Sequence, residues 1–112
     1  MDRTLDQPFA PEAPVAELGL DDALRLAAAL HQAGALADAE TLYRRVLAAV
    51  PDHPDALHLL GVLSHQTGRH NEAVALIRQA VALRPTEAGF RNNLGNVLLE
   101  AGRTAEATEA YE

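Results

Sequence analysis

From residue 20 onward, apolar and small residues return every three or four positions. Leu26, Ala27 and Leu30 form one such stripe, and Leu60, Gly61 and Ser64 form another. That spacing sets side chains along one face of a helix, because about 3.6 residues complete a turn. The periodic stretches predict helices over 21–33, 37–50, 54–67, 71–83, 87–101 and 104–112. Gly34, Gly68 and Gly102 each follow a periodic stretch, where a left-handed residue commonly closes a helix. Pro51 and Pro85 follow the alternate stretches. Proline lacks an N–H and clashes inside a helix, so it marks an end.

The punctuation itself repeats. The glycines stand 34 residues apart, as do Ala39, Ala73 and Ala107, and Pro51 and Pro85. The chain shifted by that step matches itself at Asp21/Asp55, Leu26/Leu60, His31/His65, Gln32/Gln66, Leu42/Leu76 and Arg44/Arg78. A third copy shares Leu94, Gly95, Arg103, Glu106 and Ala107 with the second. A fixed period of this size marks an array of one small supersecondary unit. Ala27, Gly61 and Gly95 are small where a larger residue would fill a core better. They predict a close helix crossing, with axes about 8–10 Å apart. Ala39, Ala73 and Ala107 supply the matching small surface on the second helix of each unit.

The second copy reads Leu57-x2-Leu60-Gly61-x2-Ser64, Gly68, Ala73-x3-Ile77, Pro85. The third reads Arg91-x2-Leu94-Gly95-x2-Leu98, Gly102, Ala107-x3-Tyr111, and the first Ala23-x2-Leu26-Ala27-x2-Leu30, Gly34, Ala39-x3-Tyr43, Pro51. This pattern resembles the tetratricopeptide repeat (TPR) family, over roughly residues 20–112. The resemblance implies an all-α, right-handed superhelical solenoid of antiparallel helix pairs, with nearly three repeats. The expected organisation is a leader over 1–19, repeats over 20–53 and 54–87, and a third repeat over 88–112 truncated in its second helix. Ala23, Leu57 and Arg91 stand where the family usually opens its first helix with an aromatic residue. Arg91 fits that slot least and is expected to face solvent.

Composition narrows the partners. A net charge of −7 disfavours nucleic acid and anionic membrane surfaces, which select basic patches. All nine basic residues are arginine, and cysteine is absent, which excludes disulfides and thiol chemistry. No run approaches the roughly 18 apolar residues of a membrane span, so a cytoplasmic location is expected. Pro8, Pro11 and Pro14 suit an extended leader, in which Leu5, Phe9, Val15 and Leu18 could dock on a neighbouring surface. The third copy stops at Glu112, short of where Pro51 and Pro85 end the others, so the chain reads as a fragment cut inside a repeat. Leu94, Val97 and Leu98 are then expected to form an open apolar strip, and a homo-oligomer through that end would cover it.

No catalytic constellation emerges, and the chain reads as a non-enzyme without a cofactor. Ser64, the sole serine, falls at a core position of its helix, as a small buried filler. The glycines belong to repeat turns rather than to a phosphate loop. His58 and His65 lie seven residues apart, about 10.5 Å along a helix, too far to share an ion. His31 and His65 are repeat-equivalent, on helices expected to stand too far apart for shared ligation. No metal site is expected. Carboxylates at helix starts, among them Asp21, Asp55, Glu72 and Glu106, suit the positive end of the helix dipole.

The informative surface is the face that the first helix of each unit turns away from the second. Periodicity sets Arg25, His31 and Gln32 there in the first copy, His58, Val62, His65 and Gln66 in the second, and Asn92, Asn93 and Asn96 in the third. In the TPR family this face lines a concave groove that holds an extended peptide. Amide side chains both donate and accept, so they can grip a peptide backbone without demanding a sequence. The family's carboxylate clamp needs basic and asparagine side chains where Leu24 and Ala28 stand, and is excluded. Asn93-Leu94-Gly95-Asn96 resembles one rung of the asparagine ladder in O-linked N-acetylglucosamine transferase repeats; the equivalent places in the earlier copies hold Leu59 and Arg25. The expected function is a peptide- or protein-binding scaffold. The alternatives are a substrate-presenting part of a larger glycosyltransferase and a self-assembly element.

Overall fold

The computed structural model describes residues 19–112. The expectations for Leu5, Phe9, Val15 and Leu18 fall outside those residues. Six helices follow one another: α1 (Leu20–Gln32), α2 (Leu36–Ala49), α3 (Pro54–Gln66), α4 (His70–Leu83), α5 (Ala88–Glu100) and α6 (Thr104–Tyr111). No strand occurs among the described residues. Each helix starts and stops within one residue of where the periodicity places it.

The turns show why. Gly34, Gly68 and Gly102 have φ of 86°, 83° and 80°, the left-handed region that only glycine enters without strain. At the second turn, the Gly68 N–H reaches the His65 carbonyl at 3.1 Å and the Arg69 N–H reaches the Ser64 carbonyl at 2.8 Å. This double bond pattern is the Schellman closure, which satisfies carbonyls that the helix end leaves free. The third helix starts on Pro54, whose missing N–H costs nothing there, and the Ala56 N–H donates to His53 Nδ1 at 3.2 Å.

The helices pack as the antiparallel pairs α1/α2, α3/α4 and α5/α6, and the pairs stack in order. The odd helices approach one another more closely than the even helices do, which puts α1, α3 and α5 on the inner side of the stack. The result is an all-α helical-repeat solenoid. Its crossings depend on the small residues. A Cβ added at Gly61 would lie 2.5 Å from Ile77 Cγ1 and 3.3 Å from the Ala73 carbonyl oxygen. Gly95 meets the ring of Tyr111 in the same way. Tyr43, Leu60, Leu63, Ile77 and Leu98 are completely buried between the layers. So is Ser64.

Two expectations need correction. Leu94, Val97 and Leu98 do not form an open strip: each is at least 94% buried, packed with Ala73, Ile77 and Ala107 from α4 and α6. The eight residues of α6 are enough to cover them, which removes the ground given for a homo-oligomer. Arg91 does not simply face solvent. It is half-buried, with Nη1 donating to the Pro85 carbonyl at 3.1 Å, and it bridges back to the preceding turn. The apolar part expected at its slot is played by its neighbour Phe90, which is buried beside Leu57 and Ala80.

Candidate functional site

All ten residues singled out for the inner face lie on α1, α3 and α5, but in two states. Arg25, Gln32, Gln66, Asn92 and Asn96 are exposed; His31, His58, Val62, His65 and Asn93 are half-buried. The half-buried polar groups are tied across the stack. His31 Nε2 meets Gln66 Oε1, the Asn93 amide donates to His58 Nε2 at 2.7 Å, and His65 Nε2 donates to Glu100 Oε1 at 3.0 Å. Each pair is 35 residues apart, one more than the repeat. The extra residue appears because side chains of one inner helix lean toward the next residue's place on its neighbour. Adjacent inner helices are therefore close enough for paired contact, closer than the expectation for His31 and His65 allowed. Even so, His31 and His65 each take a different partner.

The partners fix orientation. His58 stacks on Phe90, with centroids 4.5 Å apart and planes at 28°. Burial holds its imidazole below the ordinary value, against the opposing pull of Asp55 and Glu87. The ring is thus neutral, as it must be for Nε2 to accept from Asn93. The Tyr43 hydroxyl lies 2.9 Å from His31 Nδ1, and burial pushes that phenol up to about 12. The Tyr111 hydroxyl donates to Asn96 Oδ1 at 2.6 Å. Both tyrosines reach from even helices to the inner face past Ala27 and Gly95, the small residues of the crossings. Sequence reading placed Tyr43 and Tyr111 in repeat slots but gave them no part in this face. The signal was available, since each large ring opposes a small residue in the pattern. Arg25 pairs with Asp22 on its own helix and joins no partner across the stack. Asn93, the resembled ladder rung, gives one N–H of its amide to His58.

The even helices carry a different chemistry. Arg44 Nη2 donates to Glu72 at 2.8 Å, and its repeat-equivalent Arg78 donates to Glu106 at 2.9 Å. Arg69 grips Glu40 with two parallel bonds of 2.9 Å each. Hydrogen bonds from Arg69, then from Arg44, hold the Glu40 carboxyl down at about 2. Arg103 and then Arg78 do the same for Glu106, also to about 2. Among the described residues no group of three or more His, Asp or Glu side chains is placed to hold a metal ion. No helix among them is long and apolar enough to cross a membrane.

Two tetratricopeptide repeat family models match the chain, one over residues 30–87 and one over 66–112. Human tetratricopeptide repeat protein 7B is 35% identical over 70% of this chain and 9% of its own length. The human protein O-mannosyl-transferase TMTC1 is 39% identical over 62% of this chain and 8% of its own. The chain thus spans about a tenth of these curated relatives. Among solved structures, a mutant of the Thermobaculum terrenum O-GlcNAc transferase superposes with a TM-score of 0.78 and 34% identity, over 93% of this chain and 19% of that one. The Yersinia enterocolitica type III secretion chaperone SycD, in complex with a peptide of the translocator YopD, shares the fold at a TM-score of 0.76 and 21% identity, over 81% of this chain and 70% of that one.

Proposed function

The chain belongs to the tetratricopeptide repeat family, and from that premise we propose that it is a binding scaffold that lays an extended peptide along the inner face of α1, α3 and α5. Residues 20–53, 54–87 and 88–112 are its repeat units in this reading. One observation carries it: three inner-face amides are held by a partner at one end and left open at the other. The Gln66 oxygen is held by His31 and the Asn96 oxygen by Tyr111, which leaves their NH2 groups as donors; the Asn93 NH2 is held by His58, which leaves its oxygen as acceptor. Donors and acceptors fixed in advance suit a peptide backbone, and holding them before binding lowers the ordering cost. Arg25, Gln32, Val62, His65 and Asn92 flank them. A peptide selected from a random library should bind roughly five- to 150-fold more weakly to the double variant Asn93→Ala/Asn96→Ala, from two lost hydrogen bonds at about 0.5–1.5 kcal/mol each. Helicity by circular dichroism should stay unchanged. Equal affinity in the variant would reject these contacts.

A second reading rests on the 34% identity to a glycosyltransferase's chain. The same face would then present protein substrates to a transferase domain. A transferase encoded in the same reading frame supports this reading, and a reading frame without one removes it.

A further inference from the structure

We propose that His65 and His70 form a binding site for a divalent transition-metal ion of the zinc class, with Glu100 orienting His65 from behind. The site borrows His65 from the edge of the inner face, but its geometry does not rest on peptide binding there. His65 lies on the last turn of α3 and His70 is the first residue of α4. The left-handed Gly68 folds the chain between them sharply enough to bring the two rings together, with centroids 4.9 Å apart. Their Nδ1 atoms face each other at 2.9 Å. Two imidazole nitrogens bound to one ion at about 2.0–2.1 Å stand about 2.9 Å apart at a right angle and about 3.3 Å apart in a tetrahedron. The pair already has the first spacing and needs only a small opening for the second.

The third group makes the pair more than a contact between neighbours. Ligation through Nδ1 requires the proton of His65 to sit on Nε2, and that is where Glu100 Oε1 accepts it, at 3.0 Å. A carboxylate behind a histidine in this way fixes the tautomer and raises the ring's basicity, as in zinc sites generally. In the metal-free protein, His65 Nδ1 accepts from the Nδ1–H of His70. On binding, neutral His70 moves that proton to Nε2, so both Nδ1 lone pairs turn to the ion with no net proton change. The side chain of His65 is only 18% exposed, so its ring is held by packing. Arg69, the cation between the two histidines in sequence, is turned away onto Glu40. Two protein ligands leave the remaining positions to water.

The test is calorimetric titration of zinc chloride into the untagged chain near neutral pH, with ring-nitrogen NMR as the second readout. One equivalent should bind, with the Nδ1 signals of His65 and His70 moving first. His65→Ala and His70→Gln should each weaken binding at least tenfold. Glu100→Gln should weaken it by roughly ten- to a hundredfold while keeping one equivalent, which loss of a ligand would not do. The metal should raise the melting temperature of the parent and not of His70→Gln. Unchanged affinity in His65→Ala and His70→Gln would mean an adventitious ion only. That result overturns the proposal, as would first shifts at His31, His53 or His58, or no saturable binding.

Discussion

The inner and outer faces hold the same stack together with opposite chemistries. On the outer face Arg44–Glu72 and Arg78–Glu106 are copies of one contact, one repeat apart, and Arg69–Glu40 adds a fork between the first two units. On the inner face His31–Gln66, His58–Asn93 and His65–Glu100 keep one step of 35 residues but change partners every time. The outer contacts are exposed or partly exposed ion pairs, each worth little and readily duplicated. Two of the inner contacts join half-buried rings to amides and the third joins one to the Glu100 carboxylate, and a wrong partner there leaves a polar group stranded. Stacking alone is served by repetition. The inner face differs from unit to unit, which is what the proposed peptide recognition needs.

The largest effect should come from the crossing that supports both faces. Gly61→Leu forces a side chain onto Ile77 and should destabilise the chain by about 3 kcal/mol or more, above the usual range for overpacking because backbone as well as side chain is in the way. Urea melts would show it, and a variant as stable as the parent would refute the close crossing.

Acid should then separate the faces. The His58 imidazole is held low by burial, so the unfolded chain takes up a proton first. Its contribution is complete above about 6.5 and is lost as pH falls below that value. Glu40 and Glu106 are held at about 2, against an ordinary 4.5. Their contribution is complete above 4.5 and declines as pH falls toward 2. Stability against pH should therefore drop in two stages, inner face first. His58→Gln, which keeps an acceptor for Asn93, should shrink the first stage and leave the second. A curve that stays flat down to pH 4.5 in the parent would break the contrast.

The smallest effect belongs to the outer face. Glu40→Gln should cost about 0.5–1 kcal/mol, the size of a partly exposed pair, and the loss should shrink in high salt. Chemical melts at low and high ionic strength measure it. A large, salt-independent loss would mean that the outer network is doing what the inner one is credited with.

The sequence made the helices legible because the period is written in residues that leave no choice. Glycine at a left-handed turn and a small residue at a crossing have few substitutes, so Gly68 and Gly61 could be placed from spacing alone. The placement of the ten singled-out residues on the inner helices was also legible. Their pairing was not, because the 35-residue step arises from the lean of side chains between stacked helices and leaves no mark in a 34-residue repeat. Arg91 and Phe90 misled for a related reason. The slot was read from the period, but the ring one position earlier reaches the core and the guanidinium turns back to Pro85. The cover over Leu94, Val97 and Leu98 depended on how far eight residues of α6 extend, which is a matter of three-dimensional reach.

The most direct measurement is a chemical-shift footprint of a selected peptide on the isotope-labelled chain. A scaffold that binds through its inner face should show the largest changes at Gln66, Asn92, Asn93 and Asn96, with Arg44 and Arg78 unmoved. Largest changes at Arg44, Arg78 and their glutamate partners would contradict the assignment of recognition to the inner face.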